Sequence, residues 1–153
     1  VQFIAGSESA IVSNDTSYIN TDNFLFHSAN YQAANLLNSP QSKFNLTSAA
    51  QLNEIRLDKV GPFIKFYDCQ LLMLDDQVNM WRGTYHNNLQ YVIYSKGCKL
   101  SIRSVKTMFD PKLLVLDGSL TAYKRNKLIE EAKELSMNYH DTHSDGALEV
   151  NLN

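Results

Sequence analysis

The chain has 153 residues, 44% hydrophobic and 20% charged, enough apolar material for one ordinary domain with a core, which excludes a disordered chain. No apolar run reaches the roughly 18–20 residues that cross a bilayer, and the first residues do not read as a signal peptide. The formal net charge of −2 decides nothing about a nucleic-acid partner by itself.

In chain order, Val1–Ala5 and Ala10–Ser13 are short apolar runs around Gly6-Ser7-Glu8-Ser9, which predicts an opening hairpin. Asn23–Leu37 predicts a helix, with Phe24, Ala33, Leu36 and Leu37 on one face and Asp22 as N-cap; Ser39-Pro40 ends it. The polar stretch Asn38–Gln51 reads as a surface loop. Gly61-Pro62 punctuates the chain. Phe63–Tyr67 and Gln70–Leu74 then flank Asp68-Cys69 as a second hairpin. Tyr91–Tyr94 reads as a buried strand, Ile102–Phe109 as a short helix capped by Ser101 and broken by Asp110-Pro111, and Leu113–Leu116 as another apolar strand. Ala122–Met137 is the clearest helix, with Leu128, Ala132 and Leu135 at helical spacing. Tyr139–Asp141 and Ala147–Val150 are expected as terminal strands around the turn Ser144-Asp145-Gly146. The alternation predicts an α/β fold with a mixed sheet and packed helices, and a single domain over 1–153.

From Lys96 to Lys127 the chain carries Lys96, Lys99, Arg103, Lys106, Lys112, Lys124, Arg125 and Lys127 against only Asp110 and Asp117. This is either a solvated basic surface or the footprint of an anionic partner. If Tyr91–Tyr94 and Leu113–Leu116 are parallel neighbours, Lys96, Lys99, Lys124, Arg125 and Lys127 gather at their carboxyl edge, where they would attract a phosphate backbone weakly and without reading sequence. Tyr94 and Tyr123 are either core residues or stacking surfaces for bases, worth about 1–3 kcal/mol per base if exposed.

Sequence signatures of known catalytic sites are absent, including His-x-His-x-Asp-His, His-Glu-x-x-His, a Walker loop and Gly-x-Ser-x-Gly. His140 and His143 fall in a strand and the turn beyond it, where a three-residue offset points side chains to opposite faces; His27 and His86 have no ligand partner nearby in sequence. The two cysteines, Cys69 and Cys98, lack zinc-ligand spacing, and Cys69 reads as a buried small hydrophobe. Their redox state stays open.

A set of stretches in the second half forms one pattern. It runs Leu71-Leu72-Met73-Leu74-Asp75, then Tyr91-Val92-Ile93-Tyr94-Ser95-Lys96-Gly97-Cys98, then Asp110-Pro111-Lys112 with Leu113–Leu116, then Asp117-Gly118-Ser119. The last helix follows, and then His140-Asp141-Thr142-His143-Ser144-Asp145-Gly146-Ala147. In order and spacing this resembles the last portion of the metallo-β-lactamase-like domain of ComEC proteins, the polytopic channels of natural competence. Gly6 with Ile11-Val12-Ser13-Asn14-Asp15 resembles that domain's opening. Asp117-Gly118-Ser119 is similar to the Asp-Gly-Ser of short, degenerate members.

The departures from the family pattern are informative. Ser95 and Lys96 stand where the family has His-His, Gly97 remains, and Lys124 follows Tyr123 where a His is missing. Asp15 to Gly61 is too short for the segment bearing His-x-His-x-Asp-His. Such a hydrolytic site needs several His/Asp ligands at about 2 Å from a divalent metal that lowers the pKa of bound water to about 7. Of that set only Asp75 or Asp76 survives, and a lone aspartate at a strand end is otherwise a turn former or helix cap. Asp75, Ser95, Lys96 and Lys124 are therefore expected as vestigial metal positions, with no bound metal and no cofactor. Gly97 and Gly118 are expected for backbone reasons at turns.

The resemblance implies a truncated, degenerate metallo-β-lactamase-like fold without catalysis. Val1 in place of a Met suggests a processed or excised piece, and the resemblance favours a soluble, extracytoplasmic part of a polytopic protein of the bacterial inner membrane. Its expected partners are the membrane-embedded remainder of the polypeptide and, weakly, single-stranded DNA. The alternatives are a residual metal-dependent nuclease or hydrolase of the same class, and an unrelated small-molecule-binding α/β module. For the last, no Gly-rich phosphate loop follows a strand.

Overall fold

The computed structural model describes residues 1–5, 8–13, 42–45, 50–52, 56–85 and 88–152. They fall into two compact units, Val1–Tyr67 and Asp68–Asn153. The expected helix Asn23–Leu37 lies outside the described residues, as do His27 and His86.

In the first unit β1 (Gln2–Ala5) and β2 (Glu8–Ser13) form the expected antiparallel hairpin. Its turn is tighter than the sequence suggested: Ala5 faces Glu8, so Glu8 and Ser9 belong to the strand. The stretch read as a polar loop supplies β3 (Ser42–Asn45), parallel to β2, and β4 (Ala50–Leu52). Pairing with an existing strand satisfies backbone groups whatever the side-chain polarity, which is why polar composition misleads there. β4 runs antiparallel to β5 (Leu57–Val60), and β5 antiparallel to β6 (Phe63–Phe66). Gly61, at φ +56°, opens the two-residue turn between β5 and β6, a position glycine fills at no steric cost. β5 alternates, with Leu57 and Lys59 buried and Asp58 and Val60 exposed. Lys59 is only 1% exposed, and burial pulls its ammonium pKa below the ordinary lysine value.

The second unit is built on four parallel strands in the order β10-β9-β8-β7, where β7 is Cys69–Leu74, β8 Tyr91–Tyr94, β9 Leu113–Leu116 and β10 Tyr139–Asp141. A 3-10 turn, Gln77–Met80, lies between β7 and β8. Helix α1 (Ile102–Phe109) joins β8 to β9, and α2 (Ala122–Glu134) joins β9 to β10. Right-handed crossovers between successive neighbouring strands place both helices on one face. Two bonds tie them together: Arg103 N donates to Glu131 Oε1 (3.3 Å), and Lys106 Nζ donates to the Leu135 carbonyl (2.7 Å). The fold class is α/β with both parallel and antiparallel pairing, as the sequence implied.

The strands and caps of this unit match their sequence signals closely. Ser101 Oγ accepts from Ser104 N (3.1 Å) at the start of α1, and Asp110 ends it in the left-handed conformation before Pro111. α2 was expected to reach Met137 but ends at Glu134. Ser136 takes φ +50°, and Met137 N returns to the Ala132 carbonyl (2.9 Å), closing the helix with a Schellman-type bond. Ala147–Val150, expected as a strand, is not one. The turn after β10 folds back on β10 itself, and Val150 stays exposed.

Leu72, Leu74, Val92, Tyr94, Leu114 and Leu116 are fully buried, as are Ile102 and Val105 of α1 and Ala132 of α2. At the far end of α1, Trp81, Tyr85 and Phe109 cluster, with Tyr85 and Phe109 stacked at 5.8 Å, and Tyr85 N bonds the Met108 carbonyl. This cluster anchors the β7–β8 connection, among whose described residues there is no α-helix to do so. Leu114→Ala is expected to lower unfolding free energy by about 2–5 kcal/mol, because a dense core collapses only partly around the cavity. Met80→Ala, at a side chain 84% exposed, should change it by less than about 0.5 kcal/mol. Urea denaturation of the two variants beside the parent checks both.

Candidate functional site

Parallel strands in register bring their carboxyl ends to one edge, where α/β sheets place their sites. Leu74, Tyr94, Leu116 and Asp141 are level across β7 to β10. The next residue along each of the first three strands is Asp75, Ser95 or Asp117, so these three side chains meet the edge at one height.

Each of them has an internal partner. Asp75 is buried, and its Oδ1 accepts from Gln77 N (2.9 Å), the bond of an Asx turn. Burial pushes its carboxyl above the ordinary carboxylate range, with a smaller push from the neighbouring Asp76. Ser95 is fully buried and donates its hydroxyl to Asp117 Oδ2 (2.5 Å). Asp117 Oδ1 accepts from Ser119 N (2.8 Å) and from the Ser119 hydroxyl, while Lys96 N donates to Ser119 Oγ (2.9 Å). Asp117 thereby stitches the loops after β8 and β9 together. Sequence reading valued Asp117-Gly118-Ser119 only as a family likeness; the turn chemistry of Asp and Ser was the signal available for this role.

Asp141 is the second hub. Its carboxylate lies 3.4 Å from Arg125 Nε and accepts from His143 N (3.1 Å) and Ser144 Oγ (3.0 Å). Asp145 Oδ2 accepts from Asp141 N (3.0 Å), and this backbone bond together with the Ser144 hydroxyl holds the Asp145 carboxyl below its usual range. His140 Nε2 pairs with the Gly146 carbonyl (2.9 Å), and His143 is exposed in the turn. His140 thus lies in β10 and His143 in the turn beyond it, as the sequence implied. Among the described residues no three His, Cys, Asp or Glu side chains converge as a metal would require.

The expected basic set divides. Lys96 and Lys99 from the loop after β8, and Lys124 from the first turn of α2, line one open groove of about 280 Å³ together with Cys98, Ser119 and Thr121. Lys124 Nζ also lies 5.6 Å from the centre of the Tyr94 ring. Arg125 is engaged by Asp141, and Lys127 is exposed on α2 outside the groove. Lys106 and Lys112 belong to a different cavity, of about 300 Å³, with Asp110, Ser136 and Asn138. Tyr94 is 0% exposed, and its hydroxyl lies within hydrogen-bond reach of the Cys98 (3.0 Å) and Leu100 (2.6 Å) carbonyls, so it offers no stacking surface; burial pushes its pKa far up. Tyr123 is 81% exposed.

Of the two glycines expected for backbone reasons, Gly97 fits that expectation and Gly118 does not. Gly97 takes φ +99°, and a Cβ there would sit 3.3 Å from both Cβ and N of Asp76. Gly118 has no such conformation, and its nearest neighbour to a new Cβ would be Thr142 Oγ1 at 3.8 Å, an ordinary contact.

The family model of the ComEC C-terminal domain matches residues 1–152. The chain belongs to the ComEC C-terminal domain family. No curated protein and no solved structure matches it. Membership makes the ComEC domain part of a larger membrane protein of competence and DNA uptake. Among its described residues no helix is long and apolar enough to cross a membrane.

Two outcomes test this edge. Gly97→Ala should cost about 1–2 kcal/mol from its left-handed backbone and the contact with Asp76, while Gly118→Ala should cost less than about 0.5 kcal/mol, both read from urea melts. Asp75→Asn keeps the acceptor for Gln77 N and removes a buried charge. Because the folded state binds the Asp75 proton more tightly than the unfolded chain, Asp75 favours folding increasingly as pH falls through its raised pKa, above the ordinary value of about 4. The variant should therefore match or exceed the parent at neutral pH and lose that advantage on acidification. A variant less stable than the parent at pH 7 would contradict this assignment.

Proposed function

We propose that this ComEC domain is a non-catalytic, extracytoplasmic part of the DNA-uptake channel in the bacterial inner membrane, on a degenerate metallo-β-lactamase-like scaffold. Its main partner is then the membrane-embedded remainder of the same polypeptide. The observation that carries the reading is the state of the strand-end side chains. Asp75, Ser95, Lys96 and Lys124 stand where the resembling hydrolases set metal ligands. Here Asp75 accepts from its own loop, Ser95 donates to Asp117, and Lys124 lies over Tyr94.

This donor set does not fit a divalent metal. A cation needs several lone pairs converging at about 2 Å, and ammonium groups have none to give. A neutral hydroxyl already donating to a carboxylate is a poor ligand. What the edge does well is hold four loops in fixed positions, which suits a docking or bracing element.

The test is direct. The purified chain is equilibrated with Zn²⁺ or Mn²⁺, dialysed, and assayed for bound metal and for cleavage of single- and double-stranded DNA. Substoichiometric metal and intact DNA are expected. One metal per chain, with cleavage that disappears in Asp75→Ala, would replace this reading with a residual metal-dependent nuclease. A reporter fused directly after Leu152 of this domain, within the full-length membrane protein, should report the extracytoplasmic side; a cytoplasmic signal contradicts the placement.

A further inference from the structure

We propose that the carboxyl edge of the second unit is a peripheral membrane contact. Lys96, Lys99 and Lys124 meet the anionic headgroups of a bilayer, and Met80 and Tyr123 enter its interface on either side of them. Family membership supplies only that a bilayer is at hand. The inference is independent of metal, of catalysis and of which side of the membrane the domain occupies.

The first observation is what stands in solvent. Single exposed apolar side chains are ordinary on a protein surface. Here the two most exposed large hydrophobic side chains among the described residues, Met80 (84%) and Tyr123 (81%), both lie at this edge. They reach it from opposite sides. Met80 closes the 3-10 turn that follows the carboxyl end of β7. Its neighbour Asn79 ties that turn to the loop after β8: Nδ2 donates to the Gly97 carbonyl (3.0 Å), and Oδ1 accepts from Lys99 N (2.6 Å). Tyr123 is in the first turn of α2, which follows β9. Side chains tilt toward the start of their helix, so Tyr123 and Lys124 project to the same edge. β8 alone separates β7 from β9, a span of roughly 10 Å.

The second observation is the charge between them. Lys96 and Lys99 are exposed, and with Lys124 they line a groove whose walls carry no carboxylate. Asp117 is committed to Ser95 and Ser119. Asp76, exposed beside Gly97, is the acid that opposes the lysines.

This combination suits a bilayer surface. Lysine stems lie along apolar material while their ammonium groups stay among the headgroups. Tyrosine settles at headgroup depth, and the flexible methionine side chain fills irregular apolar space. A nucleic acid would engage the cations and the ring but would leave Met80 in water. Three cations and two apolar side chains make a weak anchor, which fits a contact that orients a domain already tethered to the membrane.

The experiment sediments the full chain with vesicles of phosphatidylcholine with and without phosphatidylglycerol. Binding to the anionic vesicles alone is expected, weakening as salt rises. Lys96→Gln with Lys99→Gln should lower partitioning about twentyfold, at about fivefold per lysine. Lys112→Gln with Lys133→Gln removes equal charge away from this edge and should lower it less than about threefold. Asp76→Asn should raise it about fivefold. Met80→Ser should lower it about fivefold or more. In a Trp81→Phe background, Met80→Trp and Tyr123→Trp each supply a reporter, and vesicles brominated in their acyl chains should quench both. No binding at low salt, equal binding to neutral vesicles, equal losses in the two lysine pairs, or unquenched reporters overturns the proposal. So does vesicle binding that Met80→Ser leaves intact and a single-stranded oligonucleotide displaces, which would make the edge a general polyanion surface. Metal content and cleavage are read separately, so failure here leaves the non-catalytic reading untouched.

Discussion

Ser95 and Asp117 bond across the ends of β8 and β9 because parallel register places them side by side, and most of what distinguishes this edge follows from that register. Antiparallel strands would send alternate loops to opposite ends. With four strands running one way, the residues after β7, β8, β9 and β10 are obliged to share one edge, and each must satisfy its polar groups beside the others. Of the two aspartates that serve as hubs, Asp117 accepts from Ser95 of the neighbouring loop and from Ser119 of its own, while Asp141 accepts from His143 and Ser144 of its own turn and pairs with Arg125 of α2. Each gathers bonds from at least two residues, which fixes loop positions that would otherwise be independent.

The same geometry sorts the basic residues. Along the chain they form one continuous run, but α1 carries the chain from the carboxyl edge of β8 back to the amino end of β9. Lys96 and Lys99 precede that helix and stay at the loop edge, while Lys106 and Lys112 are carried to the other cavity. Lys124 returns to the first edge after β9. A charge run read linearly therefore overstates the size of any one patch, and crossover connections are the reason.

Most elements of the second unit were legible in the sequence, although α2 ends three residues early, Ala147–Val150 is not a strand, and the 3-10 turn Gln77–Met80 had no sequence signal. Tyr91–Tyr94, Ile102–Phe109, Leu113–Leu116 and Tyr139–Asp141 are found at their expected bounds: two are short apolar runs, the helix has an apolar face between a cap and a breaker, and the last strand precedes a turn sequence. The first unit was less so. Ser42–Asn45 and Ala50–Leu52 have little apolar content, and what makes them strands is a partner's exposed backbone, which composition does not encode. At the edge, the strand-end positions of Asp75, Ser95 and Lys96 could be read from spacing. The capture of Arg125 by Asp141 joins residues on α2 and β10 that only folding brings together, and nothing local announced it. Tyr94 shows the opposite limit: an aromatic at a strand end reads equally as core or as platform until its neighbours are known.

Cys69 and Cys98 are both free and buried, and burial raises the pKa of each thiol. Since the thiolate is the reactive form, neither sulfur meets an oxidant or an alkylating reagent readily while the fold is closed. One thiol opens β7, and the other sits in the loop that walls the lysine groove. Their reactivity thus becomes a clock for local opening at two separate places, one strand and one loop. The molecule carries native labels for its own breathing, readable without adding a probe.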